Sequence, residues 1–138
     1  MRILGIDYGD VRVGIAVTDP LGITAQGLET IFYDGKDKAL LKRLDEIIEQ
    51  YDIETIALGM PVNLKGEETV RADITKKFLH KLKCKYPKIK IELVDERLTS
   101  VQAHKTMNYL QIKSSKKKEI VDTLAAVYIL ETYINSKK

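Results

Sequence analysis

The chain has 138 residues, 44% of them hydrophobic, which suffices for one sizeable core and not for two, so a single domain over 1–138 is expected. Its one cysteine, Cys84, excludes an intramolecular disulfide and a multi-cysteine zinc site, and His80 and His104 have no zinc-like spacing. No apolar run approaches the ~20 residues of a membrane span and no secretory pattern opens the chain, so it reads as a soluble, cytoplasmic protein with no membrane partner.

The charge is uneven. Residues 1–75 carry 8 Lys and Arg against 14 Asp and Glu, whereas residues 76–138 carry 15 against 6. A basic half on a chain of net charge +3 suits a face that meets an anionic polymer, although solvated helix faces give similar counts.

In chain order, Arg2 to Tyr8 reads as a mostly apolar strand. Val11 to Thr18 alternates, with Val11, Val13, Ile15 and Val17 on one face, and Gly9-Asp10 supplies a hairpin turn between the two. Past Pro20-Leu21-Gly22, Leu28 to Tyr33 is a third strand, so the chain opens as an antiparallel meander.

From Lys36 the period becomes helical, with Leu40, Leu41, Leu44, Ile47, Ile48 and Tyr51 on one side. Ile53 to Leu58 is a strand ending at Gly59-Met60-Pro61. Glu67 to Tyr86 is helical, with Val70, Ile74, Phe78 and Leu82 repeating every fourth residue and Pro87 blocking continuation. Ile89 to Val94 is the fifth strand.

Thr99 and Gln102 have capping-box spacing for a helix to about Leu110. A lysine-rich loop follows, and Glu119 to Ile134 is the last helix. Strands separated by helices join in parallel through right-handed crossovers, which gives an α/β fold: a mixed five-stranded sheet, three antiparallel strands then two parallel, flanked by helices.

Three positions carry acids where a core would not want them. Asp7 ends a strand that should be central and buried, where an unpaired carboxylate costs several kcal/mol. Gly14 and Ala16 on the neighbouring strand are small, which predicts a pocket beside it. Asp95 and Glu96 end the fifth strand, and alternation lets only one of them aim at Asp7; spacing does not choose. Asp122 shares a helical stripe with Ala125, Ala126 and Ile129, its bland explanation being a charge at a helix amino terminus.

Such a set resembles a hard-cation site for Mg²⁺ or Mn²⁺ more than a proton-transfer pair. Two such ions ~3.5 to 4 Å apart can activate water and stabilise a leaving phosphodiester oxygen without a Ser, Cys or His nucleophile.

Ile6-Asp7-Tyr8-Gly9, Arg12-Val13-Gly14-Ile15-Ala16, Gly59-Met60-Pro61, Asp95-Glu96-Arg97-Leu98-Thr99 and Asp122-x-x-Ala125-Ala126 together closely resemble the YqgF (RuvX-like) family. These are Holliday-junction-resolvase-like proteins also named as nucleases of pre-16S ribosomal RNA, and the likeness spans nearly the whole chain. It implies a ribonuclease H-like fold, a Mg²⁺ or Mn²⁺ site and trimming of the 5′ end of pre-16S rRNA.

Carried over by motif, the catalytic and metal-holding acids are Asp7, Glu96 and Asp122, with Arg97 and Thr99 along the phosphate path. Lys113, Lys116, Lys117 and Lys118, in the loop before the helix of Asp122, are the candidate phosphate clamp, with a solvated loop as the bland alternative. The partner is nucleic acid, RNA favoured and structured DNA allowed, for a monomer or weak homodimer.

True junction resolvases of this fold place an acid at the end of the fourth strand, and Thr55 to Met60 has none. Other readings are a DNA resolvase, a catalytically idle RNA-binding module, and a sugar-kinase or actin-like phosphate loop at Asp7-Tyr8-Gly9 with Gly14. That last reading needs a second lobe.

Overall fold

The computed structural model describes residues 2–61, 70–95 and 114–137, the side chains of 114–122 excepted. Five strands, β1 (Arg2–Tyr8), β2 (Arg12–Thr18), β3 (Ala25–Phe32), β4 (Ile53–Met60) and β5 (Lys90–Asp95), form one sheet in the order β3-β2-β1-β4-β5. The meander pairs antiparallel, and β1 with β4 and β4 with β5 pair parallel, as expected.

Strand alternation sorts the core into two layers. Leu4, Ile6, Val13, Ile15, Val17, Ile56 and Leu58 face α1 (Asp37–Tyr51) and α2 (Val70–Lys85). On the other side Ala16, Ala57 and Val94 pack with Ala126, Ile129 and Leu130 of α3 (Ser114–Ser136). Among the described residues no helix is long and apolar enough to cross a membrane.

Helix α1 buries Leu40, Leu44 and Ile47 at helical spacing, and Asp52, at φ 52°, closes it by donating its N–H to the Ile48 carbonyl. In α2 the buried stripe is Ala72, Thr75, Phe78 and Leu82, whereas Val70 and Ile74 are 77% and 38% exposed. The four-residue repeat read from the sequence drifts about 40° per step on a helix of 3.6 residues per turn. Phe78 and Leu82 set the rotation, and a mixture of three- and four-residue steps follows the sheet.

Strand β3 starts three residues earlier than expected, at Ala25. Asp19 organises the preceding loop, accepting the N–H groups of Ile23 and Thr24 at 2.7 and 2.8 Å, which brings Ala25 opposite Thr18. A bulge shifts the β2–β3 register between Ile15 and Ala16, and that irregularity hid the strand's alternation.

The largest correction concerns the last helix, which begins at Ser114 and not at Glu119. Lys116, Lys117 and Lys118 therefore lie in its opening turns and not in a loop. Serines suit a helix start and lysine is a good helix former, so a polar composition did not imply loop there. The expected helix over 99–110 lies outside the described residues.

Candidate functional site

Asp7 stands on the α3 side of the sheet, one residue before the carboxyl end of the central strand, and it is half-buried. Its register partner is Gly14, buried and without a side chain. On the other flank Leu58, the partner of Ile6, is followed by Gly59, also buried. A half-buried carboxylate flanked in the sheet by two glycines is a hard oxygen donor of the kind that suits Mg²⁺ or Mn²⁺.

The pocket expected over Gly14 and Ala16 does not extend over Ala16, because α3 occupies that end. Ala16 is fully buried beside Ala126 and Leu130, and Gly5, its partner on β1, lies against α3 so closely that an added Cβ would stand 2.9 Å from the Ala126 carbonyl oxygen. Small residues here admit a helix backbone and do not leave a void.

Helix α3 also meets the row of Asp7 itself. Thr30 pairs with Gly14, and the Thr30 hydroxyl shares a 2.8 Å hydrogen bond with that of Thr123. Residue 122 immediately precedes Thr123, one turn before Ala126, so the backbone of α3 carries Asp122 to the same face and the same edge as Asp7. Its position eight residues into the helix removes the helix-terminus explanation, since the dipole effect fades within the first turn.

Of the pair at the end of β5, Asp95 pairs with Met60 and follows Val94. Val94 packs against α3, so alternation puts Asp95 on the face opposite Asp7. Glu96, like Arg97, Thr99 and Lys113, lies outside the described residues. Among the described residues no three His, Cys, Asp or Glu side chains converge to hold a metal, and Asp7 is the single acid of the proposed triad whose side chain they include.

Sequence reasoning missed a network on the other side of the strand end. Arg71, at the start of α2, donates from Nη2 to the Tyr8 carbonyl at 2.7 Å and from Nη1 to the Asp10 carboxylate, with Cζ 5.4 Å from the centroid of the Tyr8 ring. That ring stacks on Phe78 at 4.1 Å, and its hydroxyl donates to Asp37 at 2.8 Å. Lys81 pairs with the other Asp37 oxygen at 2.6 Å.

Tyr33 completes the network. Its hydroxyl donates to the Gly9 carbonyl at 2.5 Å and its N–H to the Val11 carbonyl at 2.9 Å. Burial, then hydrogen bonding with Tyr33 and Asp37, pushes the Tyr8 hydroxyl well above its ordinary value, so it stays a neutral donor. No periodicity or motif links Arg71, Asp37 and Tyr8, whose partnership exists only once α1 and α2 lie on the sheet.

The remaining sequence candidates are bland. Cys84 and His80 are exposed on α2, 3.6 Å apart. Lys81 and Lys85 are spent on ion pairs with Asp37 and Asp45.

Comparison with known proteins finds relatives over nearly the whole chain. The chain is 48% identical over 137 residues to a protein of Acetivibrio thermocellus named "Putative pre-16S rRNA nuclease", covering 99% of this chain and 97% of that one. A protein of the same name from Ruminiclostridium cellulolyticum is 50% identical over 135 residues, covering 98% and 94%.

Among solved structures, RuvC of T. thermophilus in complex with a Holliday junction substrate superposes with a TM-score of 0.60 at 15% identity, covering 99% of this chain and 96% of that one. The fowlpox virus Holliday junction resolvase gives 0.60 at 14%, covering 100% of both. At such identities the likeness shows the fold, the ribonuclease H-like one that the motifs imply. The family model described as "RuvX: Holliday junction resolvase" matches residues 1–136, and the chain belongs to that family.

Proposed function

We propose that this protein is a Mg²⁺- or Mn²⁺-dependent nuclease that hydrolyses phosphodiester bonds, with Asp7, Glu96 and Asp122 holding the cations and the 5′ end of pre-16S rRNA as substrate. The observation that carries this reading is Asp7: a half-buried carboxylate between Gly14 and Gly59, on the central strand, on the face where α3 carries residue 122. The names of the close relatives supply the substrate class.

Divalent cations at such acids polarise the phosphate and activate water, which requires no side-chain nucleophile. The chain's own contribution is to fix the acids on rigid elements, a strand and a long helix, so that little reorganisation is needed when the phosphate arrives. The motif assigns Arg97 and Thr99 to the phosphate path, and Lys113, Lys116, Lys117 and Lys118 supply the positive charge to clamp the backbone.

RNA is favoured over a DNA junction because β4 ends Leu58-Gly59-Met60, without the carboxylate a junction resolvase would carry there. The protein acts in the cytoplasm as a monomer or weak homodimer.

The test is cleavage of labelled single-stranded RNA, pre-16S rRNA leader and four-way DNA junction with Mg²⁺ or Mn²⁺, comparing the native chain with Asp7→Asn. Cleavage of the RNA substrates that Asp7→Asn abolishes is the expected result. Equal rates in both proteins would remove the mechanism, and junction cleavage alone would move the substrate to DNA.

A further inference from the structure

We infer that Arg71 is a positioning residue for Asp7: from α2, on the opposite face of the sheet, it clamps the end of β1 and so fixes the direction of the acid. This role rests on the nuclease reading of the site.

Asp7 is the penultimate residue of β1, and strand ends fray. Tyr8 is the last, and its carbonyl is taken by Nη2 of Arg71, while Nη1 of the same guanidinium holds Asp10 in the turn beyond. One planar fork thus bridges both sides of Gly9, and peeling the strand back by one residue would break both bonds together.

The clamp is itself anchored. The guanidinium lies over the Tyr8 ring, on which Phe78 also stacks, and Thr75 donates its hydroxyl to the Arg71 carbonyl at 2.8 Å. The Arg71 side chain is 28% exposed and its Asp10 partner 74%, so the ion-pair arm faces solvent and contributes little, and the part-buried bond to the Tyr8 carbonyl is the stronger arm of the clamp.

The same geometry argues against a direct contact with substrate, since both terminal nitrogens already serve the protein and the guanidinium sits behind the sheet from Asp7.

The sign of the effect on cation affinity separates positioning from simple electrostatics. Removing a positive charge near an acid site tightens cation binding if charge is all that matters. Releasing the strand end weakens it, because the acids no longer converge.

The experiment measures Mn²⁺ binding calorimetrically in the full chain without nucleic acid, for the native protein, Arg71→Ala, Arg71→Lys and Asp10→Asn, with thermal unfolding and RNA affinity alongside. Arg71→Ala is expected to weaken Mn²⁺ binding about tenfold, the usual effect of losing a residue that orients a metal ligand. RNA affinity measured without metal should not change. Arg71→Lys should fall between, since an ammonium keeps the charge but cannot span both acceptors.

Unchanged or tighter Mn²⁺ binding in Arg71→Ala overturns the role, as does a change confined to RNA affinity. If Arg71→Ala does not fold, Arg71→Lys and Asp10→Asn carry the same test, and native affinity in both overturns it. A native protein that binds no Mn²⁺ overturns the nuclease reading itself, and the clamp with it.

Discussion

Gly5 on the central strand and Ala126 on α3 touch backbone to backbone: an ideal Cβ on residue 5 would stand 2.9 Å from the Ala126 carbonyl oxygen and 3.1 Å from Cβ of Leu130. No rotamer change relieves a clash with a carbonyl, so α3 would have to lift. Because residue 122 rides one turn before Ala126, lifting the helix moves a proposed metal-holding acid away from Asp7.

Gly5→Ala is therefore expected to lower stability by about 1 to 3 kcal/mol, as overpacking does, and to reduce cleavage further than stability alone explains. Urea denaturation and rates at saturating Mn²⁺ check the two parts. Gly27→Ala probes the same packing nearer the start of α3: its Cβ would meet the Thr123 methyl, and turning Thr123 away would break its hydrogen bond to Thr30, so a loss of similar size is expected.

Phe78 is fully buried and stacked on Tyr8, holding the ring that Arg71 covers. Phe78→Ala should cost about 3 to 5 kcal/mol, most of it the cavity. Phe78→Leu, which fills part of the space, should cost much less, and chemical denaturation of the pair separates volume from stacking.

The loop before β3 should respond to acid. The Thr24 amide first, and then that of Ile23, donate to the Asp19 carboxylate and hold it below its ordinary value of 3.8. A depressed carboxylate contributes stability that is fully present above its unfolded value and is lost as pH falls through the folded one. Stability of the native chain is expected to drop as pH is lowered through and below 3.8, and Asp19→Asn should remove that part of the slope. Parallel curves for the two proteins would show that the loop adds nothing.

If Lys116 and Lys117 neutralise phosphates from the opening turns of α3, RNA binding weakens as salt rises. Lys116→Ala with Lys117→Ala should flatten the plot of log Kd against log salt by about 0.7 for each phosphate of a single strand that is no longer neutralised. An unchanged slope would mark both lysines as bystanders.

The five strands, the first two long helices and the unusual place of Asp7 were legible in the chain, because period-2 and period-3.6 patterns and turn residues are local properties. Composition misled at Lys116 to Lys118, where a polar stretch is helix, and a strict four-residue repeat misassigned the buried stripe of α2. The motif order marked the acids, and spacing left Asp95 and Glu96 open.

Tertiary structure decided what depends on two elements meeting. That Asp95 stands on the face opposite Asp7 could be read only once α3 marked the side of the sheet that Val94 and Asp7 share. Gly5 and Ala16 proved to be contact points for a helix because only packing distinguishes a small residue beside a void from one beneath a backbone. The Arg71 fork joins residues 61 and 63 positions apart, and no local pattern encodes a bond formed only after α2 docks on the sheet.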